Sequence, residues 1–315
     1  MYKNKLISIV IPAYNEQNLI SKTIETLPQF VDKIVVINDN STDSTQEIVK
    51  KISKRNTKII LINHKINQGV GGAIATGYEW SRDNGIDIAV VMAGDAQMDP
   101  NDMPKLLDVI IEDGADCAKG NRLRSGMVRK EMPRIRYYGN QLLSLLTKIA
   151  SGYWHIADSQ TGYVAINKKI LNTIDWKKMY KRYGQPNDLL VRLNVENMIV
   201  RDVPINPVYG IGEKSGIKIR KLTFTLSFLL FNRFLWRLKE KYMVRDFHPL
   251  VFFYLLGGFF VVATIGLSIR VLYFWMVFGK IPEINALAAF FSFTSASLFL
   301  LFAMWFDMDI NRDLR

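Results

Sequence analysis

Residues 88–100 read IAVVMAGDAQMDP, and the change of character inside this stretch decides the fold class. The first seven residues, Ile88–Gly94, are apolar and uncharged, which is typical of a strand buried on both faces of a sheet. Asp95, Gln97 and Asp99 follow directly. Oxygen-bearing side chains at the end of a buried strand form either a turn with a helix cap or a metal and phosphate site.

Apolar runs of the same kind recur through the first two-thirds of the chain. Three of them read LISIVIPAY, KIVVIND and KIILIN, and a further strand is predicted around Cys117, the single cysteine, which excludes an internal disulfide. Amphipathic segments lie between the runs, at Gln17–Leu27, Ser44–Ile52, Ala73–Arg82 and Met103–Ile111. Such alternation predicts an α/β domain, with a Rossmann-like parallel sheet and right-handed crossovers.

Polar clusters follow five of the predicted strands. Ligands of open α/β sheets bind beyond the carboxyl ends of the strands, which all meet at one edge. One such cluster alone is typical of a helix cap, but five on one edge outline a cleft. The clusters are Tyr14–Glu16, Asn38–Asp43, the segment NHKINQGVGGA, Asp95–Asp99 and Lys119–Arg122.

Two of these clusters suggest what the cleft binds. Gly69, Gly71 and Gly72 open a helix, and they serve either close packing or the approach of an anion to backbone N–H groups. Their spacing matches neither a Walker loop nor a G-x-G-x-x-G fingerprint. Asp95 and Gln97 alternate on an extended segment and so share one side, where their oxygens suit Mg²⁺ or Mn²⁺ bridging a diphosphate.

The apolar residues, 49% of the chain, are concentrated again near the C-terminus. Pro249–Ile269 and Ala286–Phe306 carry no charge, and each has the length of about 20 residues that a membrane span requires. Two buried helices of a soluble core are the alternative, but both segments are apolar on all faces. Basic residues precede the first segment and follow the second, so we expect a two-helix cell-membrane protein with cytoplasmic catalytic domain and C-terminus.

Aromatic and basic residues interleave just before the first of these segments. An amphipathic helix at the lipid headgroups, or one packed on the soluble domain, would have this pattern. Much of the net charge of +12 lies here, so nucleic acid is not needed to explain it. The apolar stripe comprises Phe224, Phe228, Phe231, Leu235 and Leu238.

The predicted organisation therefore has four parts. They are a catalytic domain at 1–215, amphipathic juxtamembrane helices at 216–247, two transmembrane helices at 248–310 and a cytoplasmic tail at 311–315. The hairpin of the two helices offers a surface on which copies of the chain could form a homo-oligomer.

The motifs IVIPAYNE, NDNSTD, GDAQMDP, GNR and DSQTGY, in this order, resemble those of the family 2 glycosyltransferases, which have the GT-A fold. With the C-terminal hairpin, the chain is similar to the polyprenyl-phosphate sugar synthases of the dolichyl-phosphate mannose synthase type. The resemblance implies inverting transfer of a hexose from a nucleotide sugar to a polyprenyl or dolichyl phosphate, with Mg²⁺ or Mn²⁺. UDP-GlcNAc, UDP-glucose and GDP-mannose are the candidate donors.

The resemblance also implies roles for individual residues. Asp95 and Gln97 are expected to bind the metal, although Ala93 replaces the first aspartate of the family's D-x-D-x-Q signature, a departure that favours a uridine donor. Asp95, Arg122 and Asp158 are the expected catalytic residues. Donor-binding residues are Pro12, Tyr14, Glu16, Asp39, Asp95 and Gln97. Residues for the sugar or the acceptor phosphate are Arg122, Arg134, Arg136, Gln160, Thr161, Lys214, Ser215 and Lys218.

Three readings of the less specific residues stay open. Arg134 and Arg136 hold the acceptor phosphate or are simply solvated. The basic segment with Lys214 and Lys218 closes over phosphate or is attracted to anionic lipid. Asp188 opens a helix and is either a cap or a catalytic group.

Two other functions compete with the synthase. One is a transferase for a growing polysaccharide or a diacyl lipid, although elongating enzymes of this fold carry a Q-x-x-R-W motif that NRFLWRL does not match. The other is a membrane-tethered nucleotide-sugar binder without turnover, since one carboxylate of the signature is missing. The presence of Asp95, Gln97, Arg122 and DSQTGY favours an enzyme.

Overall fold

The computed structural model describes residues 1–123, 134–206, 208 and 219–315; for 134–138, 140 and 219–223 it describes the backbone alone. The chain forms two compact units. One comprises Met1–Phe234 with Leu314–Arg315, and the other comprises Leu235–Asp313.

The first unit is built on a seven-stranded sheet in the order β3-β2-β1-β4-β6-β5-β7. The strands are β1 (Ile7–Ala13), β2 (Lys33–Asn38), β3 (Ile59–Asn63), β4 (Ile88–Val91), β5 (Cys117–Asn121), β6 (Val164–Asn167) and β7 (Val200–Pro204). Neighbouring strands are parallel except at β6, which is antiparallel to both β4 and β5. The predicted α/β class is therefore confirmed, with one reversed strand inside a mainly parallel sheet.

Helices cover both faces of this sheet. They are α1 (Ile20–Glu25), α2 (Thr45–Ser53), α3 (Val70–Asp83), α4 (Met103–Ile111), α5 (Arg134–Ser151), α6 (Lys168–Thr173), α7 (Gln185–Val195) and α8 (Ile219–Lys239), which continues into the second unit. Single 3₁₀ turns lie at Pro100–Asp102 and Trp176–Lys178. Helix α1 begins three residues later than predicted, and the backbone N–H groups of Glu16 and Gln17, which precede it, donate to Thr45 and Asp43.

Alternate residues of the strands feed two hydrophobic cores, as the period of two in a strand requires. On one face, Val10 and Val35 pack with Tyr78 and Trp176. On the other face, Ile9 and Ile11 belong to the core that includes Leu106 of α4. All seven residues of β1 are buried, so the centre of the sheet is a rigid base for the loops at its edge.

Helix α8 has two apolar faces. Leu226 and Leu229 are buried and pack with Leu143 of α5. Phe224 and Phe228, two members of the predicted apolar stripe, are 79% and 64% exposed. Phe224 and Phe228 therefore do not form the face that packs on α5, so the packed-helix reading applies to the side with Leu226 and Leu229, and the lipid-headgroup reading of the stripe stays a prediction.

Asp188, at the start of α7, joins α8 to the rest of the first unit. Its carboxylate accepts a hydrogen bond from the backbone N–H of Tyr180 and lies 3.1 Å from Nε of Arg192 and 2.6 Å from Nε of Arg233. Asp188 is fully buried. These contacts support a structural role. Asp188 lies in the first turn of α7 but does not cap it, because the N-cap residue is Gly184 and no side chain caps the helix, so the cap reading is corrected to that of a buried residue linking α7 to α8 and to Tyr180.

The second unit contains a helical hairpin, α9 (Leu250–Phe278) and α10 (Glu283–Ile310), preceded by a π-helical segment, Glu240–Arg245. Both helices are longer than the predicted spans. Each is long and apolar enough to cross a membrane, as judged by length and composition. Only 17% of the most apolar window of either helix is buried, whereas a core helix of a soluble protein is mostly buried.

A buried polar cluster joins the end of α8 to the end of α10. The guanidinium of Arg237 binds both carboxylate oxygens of Asp307 at 2.9 Å, and both side chains are fully buried. Tyr242 donates to Asp307 at 2.7 Å, and Lys241 donates to Asn311 at 2.8 Å. Because the pair is bidentate and its carboxylate also accepts from Tyr242, it meets the conditions under which a buried ion pair offsets its desolvation.

Removing one partner of this pair is expected to be more harmful than removing both. Asp307→Ala leaves the Arg237 charge buried without its carboxylate, which costs about 3–5 kcal/mol in comparable pairs. Arg237→Met combined with Asp307→Leu should recover most of that loss. Thermal unfolding in detergent measures both variants, and equal destabilisation of the single and double variants would contradict this account.

Candidate active site

The candidate site lies beyond the carboxyl ends of β1, β2, β4 and β5. Hydrogen bonds between side chains and backbone N–H groups join two of its loops. Asn15 adopts a positive φ of 58°, its backbone N–H donates to Ser41, and its side-chain oxygen accepts from the N–H of Thr42 at 2.8 Å. Asp43 accepts from Thr45 and from the N–H of Gln17. The loop after β1, with Tyr14 and Glu16, is thus fixed against the loop after β2.

Asp39, a predicted donor-binding residue, organises the loop after β3. Its carboxylate accepts from the N–H groups of Gln68 and Gly69 at 2.8 and 2.7 Å and lies 2.7 Å from Nδ1 of His64. The other ring nitrogen of His64 lies 3.0 Å from the hydroxyl of Thr76 on α3. Asp39 is buried, and its carboxylate fixes the loop that follows β3 at this edge of the sheet.

The glycine segment packs closely on the chain around residue 181. The N–H groups of Gly71 and Gly72 both donate to the carbonyl of Lys181, at 3.0 and 3.2 Å. Gly69 has a φ of 83°, and a Cβ on it would lie 2.5 Å from that same carbonyl oxygen. Four backbone donors of this segment are therefore used within the protein, which favours close packing over a phosphate cradle.

Asp39→Asn is expected to destabilise the first unit by about 1–3 kcal/mol. The NH₂ group of the new amide would face a backbone N–H that donates to a carboxylate oxygen in the wild type. The same change should weaken binding of a nucleotide, because the loop at residues 64–72 loses its anchor. Thermal unfolding and calorimetric titration with UDP measure the two effects. Unchanged stability would show that the loop does not depend on this carboxylate.

Asp95 and Asp99 have different roles in the segment that follows β4. Asp95 accepts from the N–H of Gln97 at 3.1 Å across a turn in which Ala96 has a φ of 56°. Asp99 accepts from the N–H of Asn101 at 2.9 Å and caps the 3₁₀ turn. The cap and turn reading therefore applies to Asp99, while Asp95 lies next to acidic side chains of neighbouring loops.

Three carboxylates from three different loops, those of Glu16, Asp43 and Asp95, lie close enough to influence one another. Burial, together with the negative charges of Asp95 and Asp43, raises the pKa of Glu16 to about 7. Burial is the larger cause, and the smaller contribution of the two neighbouring carboxylates indicates negative charge that a bound cation would offset. Within the described part of the chain, no three or more histidine, cysteine, aspartate and glutamate residues form a metal-binding group by themselves. The oxygens of Asp95 and Gln97 fit Mg²⁺ or Mn²⁺ when a ligand's phosphate oxygens complete the coordination.

Arg122 and Asp158 form the second charged group of the site. Nε and Nη2 of Arg122 donate to the two carboxylate oxygens of Asp158, at 2.7 and 3.1 Å, and the backbone N–H of Arg122 donates at 3.2 Å. Asp158 is buried, which would raise its pKa, but Arg122 outweighs burial and the pKa is lowered. A fork-to-carboxylate pair fixes the guanidinium plane, and the Arg122 side chain remains 25% exposed.

The motif that contains Asp158 continues into a hydrogen-bonded network. The N–H of Gln160 donates to Asp158, and the side-chain amide of Gln160 donates to Ser159 at 2.8 Å and to Asn187 at 3.2 Å. Thr161 supplies its carbonyl oxygen to the ammonium of Lys119, at 2.6 Å. The structure thus brings Arg122, Asp158, Gln160 and Thr161 together as a connected set.

Sequence reasoning missed Asn187, and it assigned Lys119 only to a polar cluster of the cleft, not to this network. Asn187 is fully buried on α7 and accepts from both Gln160 and Thr147, contacts that no spacing in the sequence foreshadows. Lys119 had a signal, since a lysine inside a predicted buried strand needs partners for its charge. The side chains of Arg134 and Arg136, and all of Lys214, Ser215 and Lys218, lie outside the described residues.

Comparison with known proteins identifies the family. The family model for glycosyl transferase family 2 matches residues 8–182. A UDP-N-acetylglucosamine–dolichyl-phosphate N-acetylglucosaminyltransferase from Methanococcus voltae is 33% identical over 219 residues, which cover 65% of this chain and 87% of the relative. A polyprenol monophosphomannose synthase from Mycolicibacterium smegmatis is 26% identical over 228 residues, 70% of this chain and 84% of the relative.

A solved structure supports the same fold. Glucosyl-3-phosphoglycerate synthase from Mycobacterium tuberculosis, in complex with Mn²⁺, UDP and glucosyl-3-phosphoglycerate, superposes with a TM-score of 0.54 at 18% identity, covering 74% of this chain and 80% of the other. The GT-A fold and the family expected from the five motifs are confirmed. The chain belongs to glycosyl transferase family 2, and it is a glycosyltransferase enzyme.

Proposed function

We propose that this glycosyltransferase transfers a hexose from a nucleotide sugar to a polyprenyl phosphate at a membrane surface. The observation that carries the proposal is the Arg122–Asp158 pair, which presents a fixed guanidinium at the carboxyl end of β5. Such a group suits a phosphate oxyanion as acceptor. The named relatives use dolichyl phosphate or are polyprenol synthases, which supports the same class of acceptor.

The chemistry asks for alignment more than for a strong base. A lipid monophosphate is already anionic at neutral pH, so it needs little proton removal before it attacks the anomeric carbon. Arg122 would hold that phosphate in line with the sugar, and Asp158 would fix Arg122. Gln160, whose amide donates to Asn187 and Ser159, would orient sugar hydroxyls. In-line attack would invert the anomeric centre.

The departing nucleoside diphosphate carries the other charge that must be balanced. Asp95 and Gln97 would hold Mg²⁺ or Mn²⁺, which neutralises the diphosphate as it leaves. The pKa of Glu16 supports this location in part, because the negative charges of Asp95 and Asp43 add to the larger effect of burial in raising it. The mycobacterial neighbour contains Mn²⁺ with UDP.

A uridine nucleotide is the donor we propose, with UDP-GlcNAc or UDP-glucose ahead of GDP-mannose. The replacement of the first signature aspartate by Ala93 separates this chain from the mannose synthase pattern. The similarity to an enzyme named for UDP-N-acetylglucosamine supports the same order.

The membrane placement follows from the second unit and α8. We propose that α9 and α10 span the bilayer as a hairpin, with the catalytic domain and the short C-terminal tail on the cytoplasmic side. The exposed Phe224, Phe228 and Phe231 would lie at the lipid interface. The four-part organisation of 1–215, 216–247, 248–310 and 311–315 is proposed on the same grounds.

The test is an acceptor and donor screen with the purified full-length protein. Labelled UDP-GlcNAc, UDP-glucose and GDP-mannose are incubated with Mn²⁺ or Mg²⁺ and either a polyprenyl phosphate, a diacylglycerol or no acceptor. The expected result is a labelled lipid formed with the polyprenyl phosphate alone. A product with diacylglycerol, or donor binding without any lipid product, would overturn the proposal in favour of another lipid transferase or of a non-catalytic binder.

A further inference from the structure

Lys119 lies in the middle of β5, and its side chain is among the most buried of the charged groups described. It is 1% exposed, and its ammonium donates to the carbonyl of Thr161 at 2.6 Å. Thr161 belongs to the segment between α5 and β6 that also carries Asp158. Burying a lysine without a compensating charge is costly, so the charged groups around Lys119 determine whether its ammonium can stay protonated.

Four titratable groups face Lys119 in the described residues. Asp158 precedes β6, Asp202 lies on β7, and Arg122 and Cys117 lie at the two ends of β5. Burial raises the pKa of the Cys117 thiol to about 12, so the thiol stays neutral. Two cations, Lys119 and Arg122, therefore balance two carboxylates.

The ionisation of Asp202 depends on this balance between two cations and two carboxylates. Burial raises the pKa of its carboxyl group, against the hydrogen bond that Asn121 donates at 2.5 Å. Asp158 adds a second negative charge in the same region. Lys119 and Asp202 lie opposite each other in the register of β5 and β7. Without the ammonium of Lys119, the two carboxylates would be balanced by one cation fewer, so more of the positive charge of Arg122 would be offset and less would act on a phosphate.

We propose that Lys119 is a positioning residue for the transfer reaction, whose ammonium holds the Thr161 carbonyl and balances Asp202, so that Arg122 stays paired with Asp158 and available to the acceptor phosphate. The proposal rests on the proposed function of this site. Lys119 is assigned no contact with a reacting atom, because its side chain is buried and its ammonium donates to the carbonyl of Thr161.

The first test compares three variants: Lys119→Met, Asp202→Asn and the combination of both. Lys119→Met removes one positive charge at similar volume and is expected to lower kcat by about 10- to 100-fold, the size of effect that misplacement of a reacting group produces. The KM for the donor should change little, because the proposed contacts of the nucleoside diphosphate lie in the loops after β1, β2 and β4 rather than at β5. The double variant restores the charge balance and should recover the part of the lost kcat that depends on charge, while the Thr161 carbonyl still lacks its ammonium donor.

The pH dependence supplies a second, independent reading. Burial lowers the pKa of Lys119 to about 8, with Asp158 acting in the opposite direction. In the wild type, kcat should therefore fall as pH rises through about 8, and Lys119→Met should lack this step. Between pH 8 and the unfolded-state lysine pKa of about 10.4, the unfolded chain binds more protons than the folded chain. The stability of the wild type relative to Lys119→Met should therefore rise with pH over the range in which activity falls.

These results separate the possible failures. Absence of wild-type transfer to any acceptor overturns the proposed function. Wild-type transfer with unchanged kcat in Lys119→Met overturns the positioning role. A loss in Lys119→Met that Asp202→Asn does not recover, with a lowered melting temperature and the wild-type pH profile retained, also overturns it, since this is the behaviour of a lysine that only supports the fold.

Discussion

Asp95→Ala is expected to lower kcat by about 10²- to 10³-fold, on the order of the loss when one preorganised charge-stabilising group is removed from an active site. Asp95 lies in the loop that follows β4, beside Glu16, and it accepts a hydrogen bond from the backbone N–H of Gln97 across a local turn rather than from the core. Its loss should therefore remove metal-dependent binding of the nucleotide without disturbing the core. Steady-state kinetics and titration with UDP in the presence and absence of Mn²⁺ measure the two effects.

Asp99→Ala is the matched control for this change. Asp99 is four residues along the same segment, but it caps the 3₁₀ turn at Pro100–Asp102. Loss of a cap costs about 1 kcal/mol of stability. We expect this control to melt earlier while keeping its Mn²⁺-dependent UDP binding, the reverse of Asp95→Ala. Wild-type turnover in Asp95→Ala would contradict the proposal that Asp95 binds a cation.

Asp158→Asn should have the second large effect, a loss of about 10²-fold in kcat with a smaller change in the KM for the donor. The amide retains one acceptor oxygen, so Arg122 loses its two-point attachment and its plane is no longer fixed. The pKa of Asp158 is lowered, so its contribution to stability is complete above the ordinary aspartate value and is lost as pH falls below it. The loss of stability caused by Asp158→Asn should therefore be constant from about pH 5 to 7.

Arg122→Lys tests the same pair from the other side. It retains the positive charge but not the planar fork, so a site that needs only charge would tolerate it. We expect kcat to fall nearly as far as in Asp158→Asn, and the two changes together to cost little more than either alone. Additive losses in the double variant would show that the two residues act separately.

The parallel strands were predictable because burial on both faces leaves a continuous apolar run, as in Ile7–Ala13 and Lys33–Asn38. The reversal at β6 was not, since Val164–Asn167 is four residues long and its sequence does not encode direction. Helix α8 was recognisable from its spacing, but its second apolar face, Leu226 and Leu229, becomes evident only from the packing on α5.

The candidate site divides in the same way. Oxygen-bearing side chains at strand ends predicted its position, because all parallel strands finish at one edge. The partners of those side chains were not predictable. Asp39 meets His64, 25 residues away, and Gln160 meets Asn187, 27 residues away. Such contacts depend on how loops from different strands pack, which neither periodicity nor local motifs determine.

The central claim, that a cation beside Asp95 holds the diphosphate of the donor, is tested most directly by a structure of the full chain with UDP and Mg²⁺ or Mn²⁺. The account predicts a metal coordinated by an oxygen of Asp95, at roughly 2.1 Å for Mg²⁺, and by diphosphate oxygens, with the uridine against the loops that follow β1 and β2. A nucleotide bound elsewhere, or bound at this edge with no cation in contact with Asp95, would contradict it.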